Sequence, residues 1–196
     1  MKILITGGLG FIGSHLVAEF GHKHSVDIQD AFTQEYMSYK MIHRGSQGLQ
    51  PINAIERKHR EANLKYRLNL IKGKFKNLYK SWTFKQLPKE SYDLIINCGA
   101  LSEAILSQYI PHFSRDSIYV GTQQIKRQFP HTPLLHISSS MVYGTWEGLI
   151  DEQYSLASDN HYGINKIKAE EVCGENDVIL RPIHVYGIGD SKFPIW

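Results

Sequence analysis

The chain of 196 residues contains 42% hydrophobic and 21% charged residues, the composition of one ordinary globular domain. Its net charge of +3 indicates no particular class of partner, and two cysteines are too few for a disulfide framework. The sequence has no apolar run of about 18 residues, as a membrane span needs, and no charged leader with a cleavage site. We therefore expect a cytoplasmic protein with reduced thiols and no membrane partner.

Short apolar segments alternate with helical patterns along the chain. The expected strands are Lys2–Thr6, Ser25–Asp30, Asp93–Cys98, Pro133–Ser138 and Asp177–Arg181. The expected helices are Phe11–Phe20 and two later ones, near Ser117–Phe129 and His161–Gly174. Such alternation, with strands that are apolar almost throughout, predicts an α/β fold in which helices cover both faces of a parallel sheet.

The segment between residues 31 and 85 fits this alternation less well. The spacing of Ile52, Ile55, Ala62 and Tyr66 predicts an additional amphipathic helix. Residues 35–85 also contain 12 basic and three acidic side chains, an excess that could attract phosphate or nucleic acid. Because the aromatic pattern of a nucleic-acid site does not accompany these charges, a solvated face is the simpler interpretation, and we expect no nucleic-acid partner.

A glycine-rich turn follows the first strand. Gly8, Gly10 and Gly13 match G-x-G-x-x-G, while Gly7, Gly10 and Gly13 match the related G-x-x-G-x-x-G spacing. Such a turn needs glycine because the chain bends tightly, its backbone approaches a pyrophosphate and the helix packs closely on the strand. The helix then directs free N–H groups and the positive end of its dipole at the phosphates. The position of the turn between a strand and a helix favours a dinucleotide site.

The second strand ends at Asp30, which lies 20 residues after Gly10. A carboxylate at this position typically binds the ribose hydroxyls of an adenosine and would repel a 2′-phosphate. The residues that follow, 31–33, provide no arginine to hold such a phosphate. The sequence therefore favours NAD over NADP, while a structural role at the strand end is the alternative for Asp30.

Two further segments carry groups that could react. Tyr162 and Lys166 form Y-x-x-x-K, whose spacing places both side chains on one helix face. A nearby ammonium, joined by an oxidised nicotinamide, favours the phenolate of a tyrosine, which can then exchange a proton with a sugar hydroxyl. A serine run, residues 138–140, follows a strand of the expected sheet, where a hydroxyl can orient the reacting oxygen. Taken singly, the two segments are also explained by an exposed helical pair and by turn serines.

Together these segments resemble the extended short-chain dehydrogenase/reductase family, the NAD-dependent sugar-nucleotide epimerases and dehydratases. The matching segments are Thr6–His15, Asn97–Ala100, Ile137–Gly144, Tyr162–Lys166 and Leu180–Gly187. The resemblance implies a Rossmann-type, doubly wound domain over residues 1–196, with NAD as cofactor, a nucleotide-sugar substrate and a homodimer. The catalytic residues that it implies are Ser139, Tyr162 and Lys166. The implied NAD-binding residues are Gly7, Gly10, Phe11, Ile12, Gly13, Asp30, Gly99, Ala100, Leu101, Tyr162, Lys166, Pro182 and Ile183. The implied substrate-binding residues are Ser139, Ser140 and His184.

The chain departs from this family pattern at several positions. Family 4,6-dehydratases carry Asp-Glu after the catalytic hydroxyl, where this chain has Ser140 and Met141, so an epimerase or reductase is favoured. Two family asparagines fall on Ile118 and His184. Only nine residues follow Gly187, so we expect most of the family's C-terminal substrate-binding region to be missing.

The resulting hypothesis is an NAD-dependent oxidoreductase that acts on a nucleotide sugar, similar to a UDP-glucose 4-epimerase. The alternative is a truncated, non-catalytic NAD-binding module that acts as a sensor or an assembly subunit. The ten histidines lack matching ligands at metal-site spacing, and Cys98 lacks a basic partner. We therefore expect neither a metal centre nor a catalytic cysteine.

Overall fold

A computed structural model describes residues 1–31, 42–45, 48–51, 54–81 and 86–190. Ile52 and part of the basic stretch, including Lys40 and Lys85, lie outside the described residues. Within the described part of the chain, every helix is too short or too polar to cross a membrane.

Most of the described strands belong to one parallel sheet. The strands are β1 (Lys2–Thr6), β2 (Ser25–Asp30), β3 (Ile42–Gly45), β4 (Gly48–Pro51), β5 (Asn77–Lys80), β6 (Leu94–Asn97), β7 (Leu134–Ile137) and β8 (Val178–Leu180). The β3–β4 pair is a separate antiparallel hairpin, and the others form a sheet in the order β5-β2-β1-β6-β7-β8. Because this is the strand order of the doubly wound Rossmann fold, the predicted fold class is confirmed.

The helices connect successive parallel strands. They are α1 (Phe11–Phe20), α2 (Ala54–Leu70), α3 (Ala104–Tyr109), α4 (Pro111–Arg115), α5 (Gly121–Gln128) and α6 (His161–Glu170). A π-helical segment, Asp116–Val120, joins α4 to α5 without a break, and a 3₁₀ turn, Ser140–Tyr143, follows β7. The bounds of β1, α1 and β2 are those predicted, whereas β6, β7 and β8 are one residue shorter at each end.

Two elements differ from the sequence-based expectation. Strand β5 was not predicted, because its sequence Asn-Leu-Tyr-Lys is half polar and, among the strands that the structure describes, it pairs with β2 alone at the edge of the sheet. Helix α2 confirms the predicted additional helix. The prediction that Ile55 and Ala62 lie on its buried face is wrong, since both are exposed. Its buried face is polar and includes Asn63, whose amide donates a 2.7 Å hydrogen bond to the carbonyl of Asp190.

The core lies on both faces of the sheet. Consecutive residues of β1 point to opposite sides, so Ile3 packs with Val17 of α1 while Leu4 packs with Ile125 of α5. The strand order reverses beside β1, where β2 lies on one side and β6 on the other. In such sheets ligands bind outside the carboxyl ends of the strands at this point.

Candidate active site

A cleft of about 390 Å³ opens at the carboxyl ends of the central strands. Residues that follow β1, β2, β6, β7 and β8 by one or two positions contribute to its walls. The sequence-predicted residues that line it are Gly7, Gly10, Phe11, Ile12, Gly13, Asp30, Gly99, Ala100, Leu101, Ser139, Tyr162, Lys166, Pro182, Ile183 and His184. Ser140 is not among the lining residues. The fold thus gathers segments from both ends of the chain, from Gly7 to His184, around one space.

The glycine turn is built around very close backbone contacts. Gly7 has a φ of +66°, and a Cβ on it would lie 2.7 Å from the nitrogen of Gly99. A Cβ on Gly13 would lie 2.2 Å from the oxygen of Gly7, so α1 can approach the turn only with glycine there. Gly8 packs against Ile28 and does not line the cleft. Of the two glycine spacings, the one with Gly7, Gly10 and Gly13 therefore faces the cleft.

The first turn of α1 provides a cradle for an anion. Gly10 is the N-cap residue, and it has no side chain that could cap the N–H groups of the first turn. A Cβ on Gly10 would lie 3.0 Å from the oxygen of Gly7 and would occupy part of the space beside the turn. A helix N-terminus without an N-cap side chain, at the wall of the cleft, fits the pyrophosphate of a dinucleotide.

Asp30 connects the end of β2 to the glycine turn. Its Oδ2 accepts a 2.9 Å hydrogen bond from the N–H of Leu9, and the carbonyl of Gln29 accepts one of 2.7 Å from Gly7. Asp27, the other carboxylate of β2, instead accepts hydrogen bonds of 2.9 Å from the Tyr92 hydroxyl and from the Asn77 amide, and it does not line the cleft. Asp30 is thus the carboxylate of β2 that can meet a ligand bound at the turn.

Ser139 is held between two backbone hydrogen bonds. The N–H of Ser138 donates to Leu180 at 2.7 Å, and the N–H of Ser140 donates to Pro182 at 3.0 Å. These bonds continue the pairing of β7 with β8 past the ends of both strands. The hydroxyl of Ser139 caps the following 3₁₀ turn by accepting a 3.2 Å hydrogen bond from Met141. Ser139 therefore faces the cleft from a fixed backbone, whereas Ser140 is buried elsewhere.

Tyr162 and Lys166 lie on successive turns of α6 and line the cleft together. The Nζ of Lys166 is 5.8 Å from the centre of the Tyr162 ring and donates a 2.6 Å hydrogen bond to the carbonyl of Ile137. Helix α6 begins at a defined residue, because the side chain of Asn160 caps it by accepting a 2.9 Å hydrogen bond from Gly163.

Burial dominates the ionisation of this group. It lowers the pKa of Lys166 to about 8, against the opposing effects of Cys98 and Glu170. It also raises the pKa of Tyr162, and a hydrogen bond with Ser139 acts in the opposite direction. The phenol of the free chain is therefore protonated at neutral pH, and the lowering of its pKa by Lys166 together with an oxidised nicotinamide stays a prediction. Burial raises the pKa of Cys98 to about 12, so this thiol is a poor nucleophile.

Sequence reasoning missed the contribution of α2 to the cleft. Arg60, Leu64 and Arg67 line it from one face of the helix. Arg67 donates hydrogen bonds of 3.1 Å to the carbonyl of Leu9 and 2.6 Å to that of Gly189. The i, i+4, i+7 spacing of the three residues was the available signal, and part of the basic stretch consequently faces the cleft rather than solvent.

The fold and the cleft define a Rossmann domain with a serine, a tyrosine and a lysine beside a dinucleotide-type glycine turn. Residues 3–194 match the model of the NAD dependent epimerase/dehydratase family. The chain therefore belongs to this family, as its sequence motifs predicted.

Individual relatives are nucleotide-sugar epimerases by name. The chain is 30% identical over 202 residues to a Bacillus subtilis (strain 168) protein named uncharacterized UDP-glucose epimerase YtcB, a match that covers 95% of this chain and 57% of the relative. It is 29% identical over 178 residues to a bifunctional UDP-glucose and UDP-xylose 4-epimerase of Pisum sativum, covering 87% of this chain and 46% of the relative. The chain thus spans about half the length of these relatives.

Solved structures share the fold. The UDP-glucuronic acid 4-epimerase of Bacillus cereus, in complex with UDP-glucuronic acid and NAD, matches with a TM-score of 0.71 and 22% identity over 92% of this chain and 56% of that one. The UDP-Glc/GlcNAc 4-epimerase of Campylobacter jejuni matches with a TM-score of 0.63 and 23% identity over 87% of this chain and 47% of that one.

Proposed function

We propose that the chain forms the NAD-binding and catalytic part of a nucleotide-sugar 4-epimerase. The observation that carries this proposal is that Ser139, Tyr162 and Lys166 line the same cleft as the glycine turn. A proton-transfer group and a dinucleotide site in one cleft are what hydride exchange at a sugar hydroxyl requires. The names of the relatives support a UDP-sugar as the substrate.

The residues present fit NAD. The uncapped start of α1 beside Gly10 would hold the pyrophosphate, and Asp30 would accept hydrogen bonds from the adenosine ribose. Pro182 and Ile183 would lie near the nicotinamide, as the resemblance implies. When bound, NAD supplies a positively charged ring that accepts the hydride from the sugar carbon and returns it.

Residues of the chain itself would accept the proton from the sugar and return it. Tyr162, as phenolate, takes the proton of the C4 hydroxyl, and the hydroxyl of Ser139 hydrogen-bonds to the same sugar oxygen and orients it. Lys166 as ammonium stabilises the phenolate. Epimerisation then requires the keto sugar to turn over in the cleft before Tyr162 gives the proton back to the oxygen.

The exposed apolar surface of β8 and of the segment that follows it supports the proposal that further polypeptide supplies most of the substrate site. Six large apolar side chains on β8 and the segment that follows it are between 44% and 83% exposed: Val178, Leu180, Ile183, Val185, Tyr186 and Ile188. An apolar surface of this kind is typically covered by other protein.

The homodimer implied by the resemblance stays a prediction, which sedimentation of the purified chain would test.

The test is to mix the purified chain with NAD and with UDP-glucose or UDP-glucuronic acid. We expect transient absorbance of reduced nicotinamide and formation of the C4 epimer, both lost in Tyr162→Phe. The matched control is Tyr109→Phe, which removes a half-exposed hydroxyl of α3 outside the cleft and should retain turnover.

Two outcomes would contradict the proposal. Full turnover by Tyr162→Phe would remove the catalytic assignment. Tight NAD binding by the native chain without any turnover would favour the alternative, a non-catalytic NAD-binding module.

A further inference from the structure

Glu170 joins three elements that build the candidate active site. It lies on α6 one turn after Lys166, and it is buried. The hydroxyl of Ser138, at the end of β7, donates a hydrogen bond to its Oε1. Arg181, directly after β8, donates hydrogen bonds of 2.7 Å to Oε2 and 3.1 Å to Oε1. One carboxylate therefore ties the helix that carries Tyr162 to both strands that flank Ser139.

Arg181 extends this cluster to the loop after β7. Its Nη1 donates hydrogen bonds of 2.9 Å to the hydroxyl of Tyr143 and to the carbonyl of Glu152. Its guanidinium also lies 5.2 Å from the centre of the Tyr143 ring. Because Tyr143 ends the 3₁₀ turn that Ser139 caps, the cluster fixes that turn from both ends.

Glu170 also provides a negative charge that acts on Lys166. The titratable groups around Lys166 are Cys98 after β6, His136 on β7, and Tyr162 and Glu170 on α6. Burial raises the pKa of Cys98 to about 12 and lowers that of His136 to about 3, so both are neutral at pH 7. Burial opposes the ammonium form of Lys166, whereas Cys98 and the carboxylate of Glu170 favour it, and Glu170 is the one of the two on the same helix as Lys166.

We propose that Glu170 is a positioning residue that fixes Ser139 relative to α6 and places a negative charge one helical turn from Lys166. The proposal deepens the proposed epimerase function, in which a charged Lys166 is needed beside the phenol. Loss of the carboxylate removes the anchor of Ser138 and Arg181 and the charge that faces Lys166.

The experiment compares Glu170→Gln with Glu171→Gln, the exposed neighbour on the same helix end. The lysine side-chain nitrogens are titrated by NMR, and the Lys166 signal is assigned by its disappearance in Lys166→Met. We expect the midpoint of Lys166 to fall by about 1 pH unit in Glu170→Gln and to stay unchanged in Glu171→Gln. An unchanged midpoint in folded Glu170→Gln would overturn the proposal.

Turnover provides a second readout. In Glu170→Gln the alkaline limb of the kcat profile should move to lower pH by the same amount as the NMR midpoint. Ser138→Ala keeps the charge of Glu170 but removes one of its hydrogen bonds, so it should lower kcat without moving the alkaline limb. This variant tests the positioning role if Glu170→Gln does not fold. A native kcat in Ser138→Ala would contradict the positioning role. If the midpoint of Lys166 falls in Glu170→Gln while the native chain shows no turnover, the epimerase function is rejected and the electrostatic role of Glu170 is supported.

Discussion

The backbone N–H of Leu9 donates a 2.9 Å hydrogen bond to Oδ2 of Asp30. This bond links the glycine turn to the end of β2, the two segments expected to hold opposite halves of an adenosine diphosphate. The carboxylate therefore has a structural role in the free chain as well as an expected role in ligand binding. A useful variant must remove its charge while it keeps an acceptor for Leu9.

Asp30→Asn meets this requirement, because the amide oxygen can still accept from Leu9. We expect NAD to bind about tenfold more weakly, since the ribose hydroxyls lose a charged acceptor, and the preference for NAD over NADP to narrow. Calorimetric titration with both dinucleotides measures the effect. Asp93→Asn is the control, because Asp93 also accepts a backbone N–H, at 2.7 Å from Lys2, but lies outside the cleft. Equal NAD affinity in both variants would contradict the assignment.

Gly10→Ala tests the cradle at the start of α1. The added methyl group would lie 3.0 Å from the oxygen of Gly7, beside the N–H groups that would hold the pyrophosphate. We expect the fold to persist and NAD affinity to fall at least about tenfold. In the control, Gly174→Ala, the nearest atom to the new methyl group is Oδ2 of Asp177 at 3.8 Å, so binding should be unchanged. An NAD affinity in Gly10→Ala equal to that of the native chain would contradict the placement of the pyrophosphate at this turn.

Arg67→Met tests the contact between α2 and the glycine turn. The substitution removes the hydrogen bonds to Leu9 and Gly189, and charged donors of this kind contribute about 2 kcal/mol. We expect a stability loss of this size in urea denaturation and a several-fold loss of NAD affinity, because Leu9 belongs to the turn. Arg57→Met, on the exposed face of α2, should change neither quantity. Equal behaviour of the two variants would exclude a role for Arg67 in holding the turn.

The sequence was informative where apolar burial decides the structure. β1 is apolar and buried on both faces, so its apolar run and the glycine after it determine its bounds. In β2, the apolar residues Val26 and Ile28 alternate with polar ones in a strand that is also buried on both faces. β5 escaped notice because an edge strand can be half polar. The packing of α2 escaped notice because it depends on hydrogen bonds from Asn63 and Arg67 to distant carbonyls, which leave no apolar periodicity.

Within the candidate site, motifs predicted which segments meet but not how each side chain is directed. Adjacent serines 139 and 140 looked equivalent in sequence, yet the 3₁₀ turn and the pairing with Pro182 direct only Ser139 to the cleft. The ionisation of Tyr162 was also beyond the motif, because it depends on burial that the assembled fold creates. Long-range contacts of Glu170 with Ser138 and Arg181 likewise exist only once β7 and β8 lie beside α6.

Lys166→Met should make the chain more stable at neutral pH while it removes the ammonium needed for turnover. Burial lowers the pKa of Lys166 from 10.5 to about 8, so below pH 8 the folded state carries the full cost of a buried charge, about 3 kcal/mol. Loss of the hydrogen bond to Ile137 offsets about 1 kcal/mol of the gain, which leaves about 2 kcal/mol at pH 7.

The pH dependence of this gain identifies its cause. Between pH 8 and 10.5 the folded state of the native chain loses the proton while the unfolded state keeps it, so the native chain gains stability relative to Lys166→Met. The stability gain of Lys166→Met should therefore shrink over this range and reverse above it, where the hydrogen bond to Ile137 favours the native chain by about 1 kcal/mol. Urea denaturation at several pH values measures it, with Lys168→Met, on the exposed side of α6, as the control. A difference that stays constant with pH would contradict a lowered pKa of Lys166 in the folded state. The difference depends on pH only if the folded state releases the proton of Lys166 while the unfolded state keeps it.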